Sequence, residues 1–157
     1  MNKEIENIKS FRTFVLKLTD ELTTQQLNEI PEGFNNNIIW NIAHLISAQQ
    51  GVCYMRSGLP IVTDEKYFAL YRPGTKPEGF IDATEIVYIK ELLFTTLDQF
   101  QADYQRNAFV NYTSWVTRYG VEISNIDEII NFLSFHEGLH LGYIMALKRC
   151  LIKYISN

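Results

Sequence analysis

Residues 135–144 read Phe135-His136-Glu137-Gly138-Leu139-His140-Leu141-Gly142-Tyr143-Ile144, and this stretch decides how the rest of the chain is interpreted. Its two histidines are four residues apart. On an α-helix that spacing places them roughly 40° apart around the axis and about 6 Å apart along it. Two imidazoles so placed can bind one metal ion. The alternative interpretation is two polar side chains that are hydrogen-bonded within a helix interface.

The apolar residues around this stretch predict a core-facing helix over residues 125–153. They recur at intervals of three and four residues, as the buried face of a helix requires. His136 and His140 fall beside this stripe, so we expect both to face the core or its edge. Ser124 and Asp127 have the spacing of a capping box, which predicts where the helix begins. The apolar stripe comprises Ile126, Ile129, Ile130, Leu133, Leu141, Ile144, Leu147 and Leu151.

The third histidine lies in a second apolar run, residues 37–46, which is also predicted to be helical. The chain has 3 histidines in all, so every one of them falls in a predicted core helix. Burying polar side chains is costly unless something pairs with them, and a divalent metal ion would pair with all three. We therefore predict that His44, His136 and His140 are metal ligands. Trp40, one turn before His44, is interpreted as a core residue that also shields the site.

The sequence His136-Glu137-Gly138-Leu139-His140 also matches the zinc-protease motif, in which the glutamate activates a metal-bound water. Such proteases normally take their third ligand from further along the chain. The 17 residues after His140 contain no His, Asp or Glu, which disfavours a protease. Glu137 remains a candidate catalytic base or a partner of a metal ligand. The alternative for Glu137 is a solvated carboxylate on the helix surface.

Amphipathic patterns and helix breakers predict the remaining elements, and together they indicate an all-α four-helix bundle. The other long helices are predicted over 2–22, 37–57 and 82–106, the last opening on the capping-box pair Asp82 and Glu85. Three asparagines, Asn35 to Asn37, are candidate caps for the second helix. A long irregular connection over 58–81 should contain a short helix near 64–71. Residues 109–123 are rich in Tyr, Thr, Val and Trp, and are predicted to form a small strand pair or a loop across the bundle.

Composition excludes several classes of function. A chain of 157 residues, 46% hydrophobic and 20% charged, fits a single globular domain over 1–157. The net charge is −4 and the basic residues are scattered, so a nucleic-acid partner is not expected. No apolar run approaches the length of a membrane span. The 2 cysteines, Cys53 and Cys150, form no recognisable disulfide framework, which favours free thiols and a cytoplasmic location.

The order and spacing of these motifs resemble the DinB-like (YfiT-like) family of metalloproteins along most of the chain. The motifs are Trp40 with His44, Gly74-Thr75-Lys76-Pro77 in the connection, and H-x-x-x-H with Gly142 and Ile144 in the last helix. The resemblance implies an up-down-down-up bundle, a Zn²⁺ or Ni²⁺ ion on the three histidines, and a homodimer. The family's last helix often continues Gly-Gln after the second ligand, whereas Tyr143 follows Gly142 here.

Three hypotheses about function follow. Some relatives in this family are thiol S-transferases or isomerases that use a low-molecular-weight thiol, so the resemblance implies such a transferase acting on a small molecule. Metal-dependent hydrolysis by bound hydroxide is the alternative reaction. A non-catalytic metal-binding or stress-related protein is the third. For an enzyme, we expect the 58–81 connection to form the wall of the entrance to the site.

Overall fold

The computed structural model describes residues 3–153, which form a bundle of four long helices with short elements between them. The predicted all-α four-helix bundle is confirmed. The helices are α1 (Lys3–Thr19), α2 (Thr24–Asn28), α3 (Ile38–Gln49), α4 (Glu65–Tyr71), α5 (Ala83–Gln105) and α6 (Ile126–Lys153). Helix α3 continues as a π-helical turn, Gln50–Tyr54, and a 3₁₀ turn, Met55–Ser57. Two strands, β1 (Trp115–Val116) and β2 (Glu122–Ile123), pair antiparallel.

The hydrogen bonds between helices give the direction of each one. Helices α1 and α6 run parallel, because Arg12 bonds to Glu137 and, further along both helices, Lys148 Nζ donates to Leu18 O at 2.7 Å. Helix α5 is antiparallel to α1, since Arg12 Nη1 donates to Leu93 O at 2.7 Å and the earlier Lys9 bonds to Asp98.

Helices α3 and α5 run parallel to each other. Gln49 Nε2 donates to Thr96 O at 3.3 Å, and Tyr54 Oη donates to Asp103 Oδ2 at 2.6 Å. Helix α1 contacts α5 and α6, and α3 contacts the same two helices from the other side. The four long helices therefore run up, down, down and up, as the sequence resemblance implied.

Capping side chains determine where most of the helices begin. Asn37, Asp64 and Asp82 each accept a hydrogen bond from the backbone N–H three residues ahead. The capping prediction for the last helix was wrong by one residue. Glu128 N donates to Asn125 Oδ1 at 3.0 Å, and Glu128 Oε2 accepts from Ser124 N at 2.7 Å. Asn125, not Ser124, is therefore the cap of α6.

The first helix is shorter than predicted. Its predicted first residue, Asn2, lies outside the described residues, and α1 ends at Thr19 instead of continuing to 22. Leu22 N donates to Thr19 O in a turn, and Thr23 then caps α2. Because Gln26 and Thr23 bond reciprocally in a capping box, the chain has a new helix start at the place where α1 would otherwise continue.

The interior contains two apolar clusters, and α1, α5 and α6 contribute to both. Two charged side chains are also buried: Arg12 and Glu137 are 0% and 1% exposed. Arg12 Nε and Nη2 donate to Glu137 Oε1 at 2.9 Å and 2.7 Å. Since Arg12 also donates to Leu93 O, one guanidinium joins α1, α5 and α6 at mid-height. This ion pair was not predicted from the sequence.

The two segments that connect the long helices, 58–81 and 109–123, lie against α3 and α6. The 58–81 connection contains α4, as predicted, and Ser47 Oγ of α3 donates to Phe68 O at 3.2 Å. The predicted small strand pair within 109–123 is also confirmed as β1 and β2, with Trp115 opposite Ile123. Gly120 has φ 77° in the turn between them, a conformation that glycine adopts without strain. Both segments come close to the histidines.

The Arg12–Glu137 pair leads to a prediction about stability. Arg12→Met should lower the free energy of unfolding by about 3–5 kcal/mol, because it leaves the Glu137 carboxylate buried without a counter-charge. Denaturant unfolding of metal-free protein measures the change. The control is Lys9→Met, which removes an exposed pair with Asp98 and should cost less than about 1 kcal/mol.

The double variant Arg12→Met/Glu137→Met separates the penalty for an isolated charge from a loss of packing. It should recover most of the stability that Arg12→Met loses, since no buried charge remains. A double variant as unstable as Arg12→Met would contradict this account of the pair.

Candidate metal centre

The three histidines come from two antiparallel helices that pack against each other. His44 lies on α3, and His136 and His140 lie one turn apart on α6. The ring centroids are 5.4 Å apart for His44 and His136, 4.8 Å for His44 and His140, and 4.6 Å for His136 and His140. The structure therefore brings together the three residues that the sequence predicts as metal ligands.

One nitrogen from each imidazole could contribute to a common metal site. One nitrogen can be chosen from each ring so that the three lie within 4.8 Å of one another. Among the described residues, no Cys, Asp or Glu joins this group. Metal–nitrogen bonds of about 2.0–2.1 Å in a tetrahedral site require nitrogens roughly 3.3 Å apart. Nitrogens within 4.8 Å of one another come near this spacing without meeting it.

Hydrogen bonds fix the ring orientation of two of the histidines. His44 Nδ1 lies 2.7 Å from Tyr71 O, at the end of α4. His140 Nδ1 lies 2.8 Å from Asn41 Oδ1. A carbonyl oxygen can only accept, so both Nδ1 atoms carry the proton and both Nε2 atoms are left with a free lone pair. Metal-binding histidines are oriented by bonds of this kind.

The orientation of the Asn41 amide follows from its other contacts. Its Nδ2 donates to Asn36 Oδ1 at 3.0 Å and to Asn37 O at 2.7 Å. Both partners are acceptors, so the nitrogen must point to them and the oxygen must point to His140. The asparagine run before α3 therefore serves two purposes: Asn37 caps the helix, and Asn36 and Asn37 orient the partner of a candidate ligand.

His136 is the histidine without such a partner. Its Nδ1 is buried and makes no hydrogen bond with any of the described residues. A buried polar atom without a partner is costly, and a bound ion or a reoriented ring would remove that cost. The donor set, the two oriented rings and this unpaired nitrogen all fit a divalent metal ion.

Burial keeps the three imidazoles neutral. It lowers the pKa of His140 from 6.5 to about 4, with a smaller effect from His44. Burial likewise lowers the pKa of His136 well below 6.5, with smaller effects from His140 and His44, then from the charges of Arg12 and Arg118. For His44, burial outweighs the hydrogen bond to Tyr71, which raises the pKa, and Arg118 again lowers it. Neutral imidazole is the form that binds metal.

A cavity of about 440 Å³ opens beside the three rings. Its walls are mostly apolar and aromatic. Among the described residues that line it, Arg118 is the one with a permanently charged side chain, and none carries a carboxylate. The lining comprises Trp40, His44, Ala48, Val52, Pro73, Gly74, Trp115, Thr117, Arg118, Tyr119, Phe132, Leu133, His136, Leu139 and His140.

A family model places the chain among known proteins. The model of the DinB superfamily matches residues 8–144, a range that includes all three histidines. The chain belongs to the DinB superfamily. None of the curated proteins compared with the chain matches it. Membership of this metal-associated superfamily and the histidine cluster are together compatible with metal binding.

The entrance to this DinB site differs from the one expected. The 58–81 connection was predicted to form its wall, and Pro73 and Gly74 do line the cavity. A larger part comes from the β1–β2 hairpin, whose aromatic side chains pack on α6. The ring of Tyr119 is 5.4 Å from that of Phe135, and Trp115 is 6.3 Å from Phe132. The sequence carries no periodic signal that places this hairpin beside the histidines.

Trp40 has the two roles that the sequence analysis gave it. The side chain is 6% exposed and belongs to the apolar core. Its ring also stacks on His44, with centroids 4.8 Å apart and planes 12° apart, and it lines the cavity. Trp40 therefore fixes one face of a candidate ligand while it excludes water from that side.

Glu137 is not brought to the cavity. It follows His136 directly, and one residue on a helix turns the side chain by about 100°, so Glu137 faces α1 and Arg12 instead. The alternative of a solvated carboxylate is wrong, because the residue is 1% exposed. Both of the hydrogen bonds formed by its carboxylate go to Arg12, and its Oε2 has no partner among the described residues.

The site leads to a prediction about metal affinity. Protein purified without nickel resin should bind one divalent ion per chain, and His44→Ala, His136→Ala or His140→Ala should each abolish this binding. Asn41→Ala should weaken binding by about 10–100-fold, because it removes the group that orients His140. Competition with a chromogenic chelator measures both effects. Wild-type affinity in His44→Ala would refute the three-histidine site.

The lowered pKa values lead to a prediction about pH. Between pH 6.5 and about 4 the unfolded imidazoles bind protons that the folded ones do not. The stability that the neutral histidines contribute to metal-free protein should therefore be fully present above pH 6.5. The free energy of unfolding should fall as the pH decreases through this window. Carboxylates titrate there too, so the measurement compares wild type with His140→Asn. The variant should lose less stability on acidification; an identical loss would contradict burial of a neutral His140.

Proposed function

We propose that this DinB protein is an enzyme that binds Zn²⁺ or Ni²⁺ on His44, His136 and His140 and joins a low-molecular-weight thiol, through its sulfur, to a small electrophilic molecule. The observation that carries the proposal is the open side of the site. Three neutral nitrogen donors converge at the wall of a cavity of about 440 Å³, and no fourth protein donor joins them among the described residues. Structural zinc sites have four protein ligands, whereas catalytic ones keep a position open.

The proposed reaction is a substitution at a carbon atom of the acceptor, or an addition of the thiol to the acceptor. In the substitution the thiol sulfur forms a bond to the carbon of the acceptor, the bond from that carbon to its leaving group breaks, and the thiol proton leaves with that group. When bound, the divalent ion supplies Lewis acidity, which lowers the pKa of a coordinated thiol. The remaining requirements fall on the protein: to hold the ligands neutral, to orient them and to exclude water.

The protein groups around the site meet these requirements. Tyr71 O and Asn41 Oδ1 hold two imidazoles with their protonated nitrogens turned away from the cavity. Trp40 and Phe132 supply apolar walls on which an uncharged acceptor can pack. Because none of the described lining residues carries a carboxylate, activation of the thiol depends on its lowered pKa and not on a carboxylate base. Glu137 then supports the fold through Arg12 and takes no part in the chemistry.

The absence of a carboxylate from the described cavity lining also favours the transferase over the hydrolase. Metal-dependent hydrolysis commonly uses a carboxylate that handles the proton of the attacking water, as in the zinc proteases. The described lining residues offer no such group, whereas a thiol needs less assistance because its pKa is far below that of water. A non-catalytic role for the ion is supported less, since a site that only joins two helices has no need of a cavity.

We also propose that the protein is a homodimer in the cytoplasm. Large apolar side chains stay exposed on α6, where Phe135 is 51%, Leu139 is 47% and Met145 is 42% exposed, and a second copy could cover them. Both cysteines are free thiols, which fits a reducing compartment. Among the described residues, no helix combines the length and the apolarity that crossing a membrane requires.

The test is a transfer assay with a panel of small thiols and a chromogenic electrophilic acceptor. Metal-loaded wild type should form the thioether product. Metal-free protein and His140→Ala should be slower by about 10²-fold or more, since Lewis acidity is worth several kcal/mol of transition-state stabilisation. Product is measured by absorbance and identified by mass.

Two controls make the assay specific. Cys150→Ser should turn over like wild type, which shows that the half-buried Cys150 is not the nucleophile. Glu137→Gln, assayed at a temperature where it is folded, should retain the rate within a few-fold. If fully metal-loaded protein turns over no thiol, the proposed transferase activity is wrong. A loss of about 10²-fold in folded Glu137→Gln would show that Glu137 acts as the catalytic base.

A further inference from the structure

The charge at the described cavity lining is positive, with no negative group to balance it. An inference from this charge deepens the proposed function and rests on it where the metal ion is concerned. Three neutral imidazoles leave the charge of a divalent ion uncompensated, and Arg118 adds a further positive charge to the wall. None of the described lining residues supplies a carboxylate, and Glu137, behind the site, is already paired with Arg12. A thiolate would neutralise part of the ion's charge but none of the charge of Arg118.

Arg118 is held at the cavity by the hairpin that carries it. Thr117 N donates to Val121 O at 2.8 Å, and Gly120 N donates to Thr117 O at 3.0 Å, so the turn is closed on both sides of the arginine. Its neighbour Tyr119 packs on Phe135 of α6. The backbone of Arg118 is therefore fixed relative to the helix that carries two of the candidate ligands.

Arg118 is an exposed side chain, and its guanidinium forms no hydrogen bond or ion pair with any of residues 3–153 that the structure describes. Two less exposed arginines do have partners: Arg12 binds Glu137, and Arg56 lies over the ring of Trp115 at 4.7 Å. Arg118 lines the same cavity as His44 and His136.

We infer that the cavity binds a small molecule with an anionic group, of the carboxylate class, which pairs with Arg118 while the apolar body of the molecule lies against Trp40, Trp115 and Phe132. The planar guanidinium can form two parallel hydrogen bonds to one carboxylate. Apolar walls strengthen this pairing relative to water, because they lower the local dielectric constant. Arg118 is thus a specificity-determining residue.

The anionic group could belong to the thiol or to the acceptor, and separate arms of the experiment distinguish these sources. The first arm measures by calorimetry how metal-loaded protein binds 3-mercaptopropionate and 2-mercaptoethanol, which share a thiol and differ in the second group. The second arm uses metal-free protein with 3-phenylpropionate and its primary amide. Neither arm depends on turnover.

In wild type, each carboxylate should bind about 3–10-fold more tightly than its neutral counterpart, as expected for a charge pair on an exposed arginine. Arg118→Gln should abolish the preference and leave the affinity for the neutral compounds unchanged. Arg118→Lys should retain part of it. The control is Arg149→Gln, which removes the same charge from a position that does not line the cavity and should keep the full preference.

A preference in the first arm alone assigns the anionic group to the thiol, and one in the second arm alone assigns it to the acceptor; both support the inference. If neither thiol binds to metal-loaded protein, the proposed transferase fails, and the second arm still decides the role of Arg118. Equal affinity for acid and neutral compound in both arms would overturn the inference. So would a preference that survives in Arg118→Gln.

Discussion

A buried charge has to be paired, and in this protein that requirement sets the rotation of the last helix. Arg12 is fully buried, so its guanidinium needs a carboxylate and finds one in Glu137. With Glu137 directed at Arg12 of α1, His136 and His140 lie about 100° and 60° from it around α6 and must face elsewhere. His136 and His140 then lie toward α3, where His44 meets them. The ion pair therefore determines which side of α6 carries the candidate metal site.

The second constraint is the hydrogen-bonding of the imidazoles, which joins the 58–81 connection to the four-helix bundle. The Tyr71 carbonyl that holds His44 belongs to the end of α4, and the Asn41 amide that holds His140 is itself oriented by Asn36 and Asn37. The 58–81 connection thus has a function that its irregular sequence does not suggest. It contributes less of the cavity wall than expected and more of the orientation of a ligand.

The sequence was sufficient for whatever depends on a repeating pattern or a local signal. The spacing of His136 and His140, the apolar run around His44, and the caps Asn37 and Asp82 are of this kind. The role of Arg12 was missed although a signal exists: Ile5, Ile8, Arg12, Val15 and Thr19 form the buried face of α1. A charged residue in that register needs a buried partner of opposite charge, and Glu137 occupies the matching register on α6.

The cavity wall could not be predicted, and the reason is physical. Strands of two residues have too few alternations to show which side faces the bundle, so nothing local directs Trp115 or Arg118 toward the histidines. Their position results from the packing of the hairpin's aromatic rings on α6, a contact between residues distant in sequence. The helices of this DinB protein supply the three candidate metal ligands, which periodicity reveals. The hairpin supplies the groups that would select the substrate, and only the tertiary structure shows them.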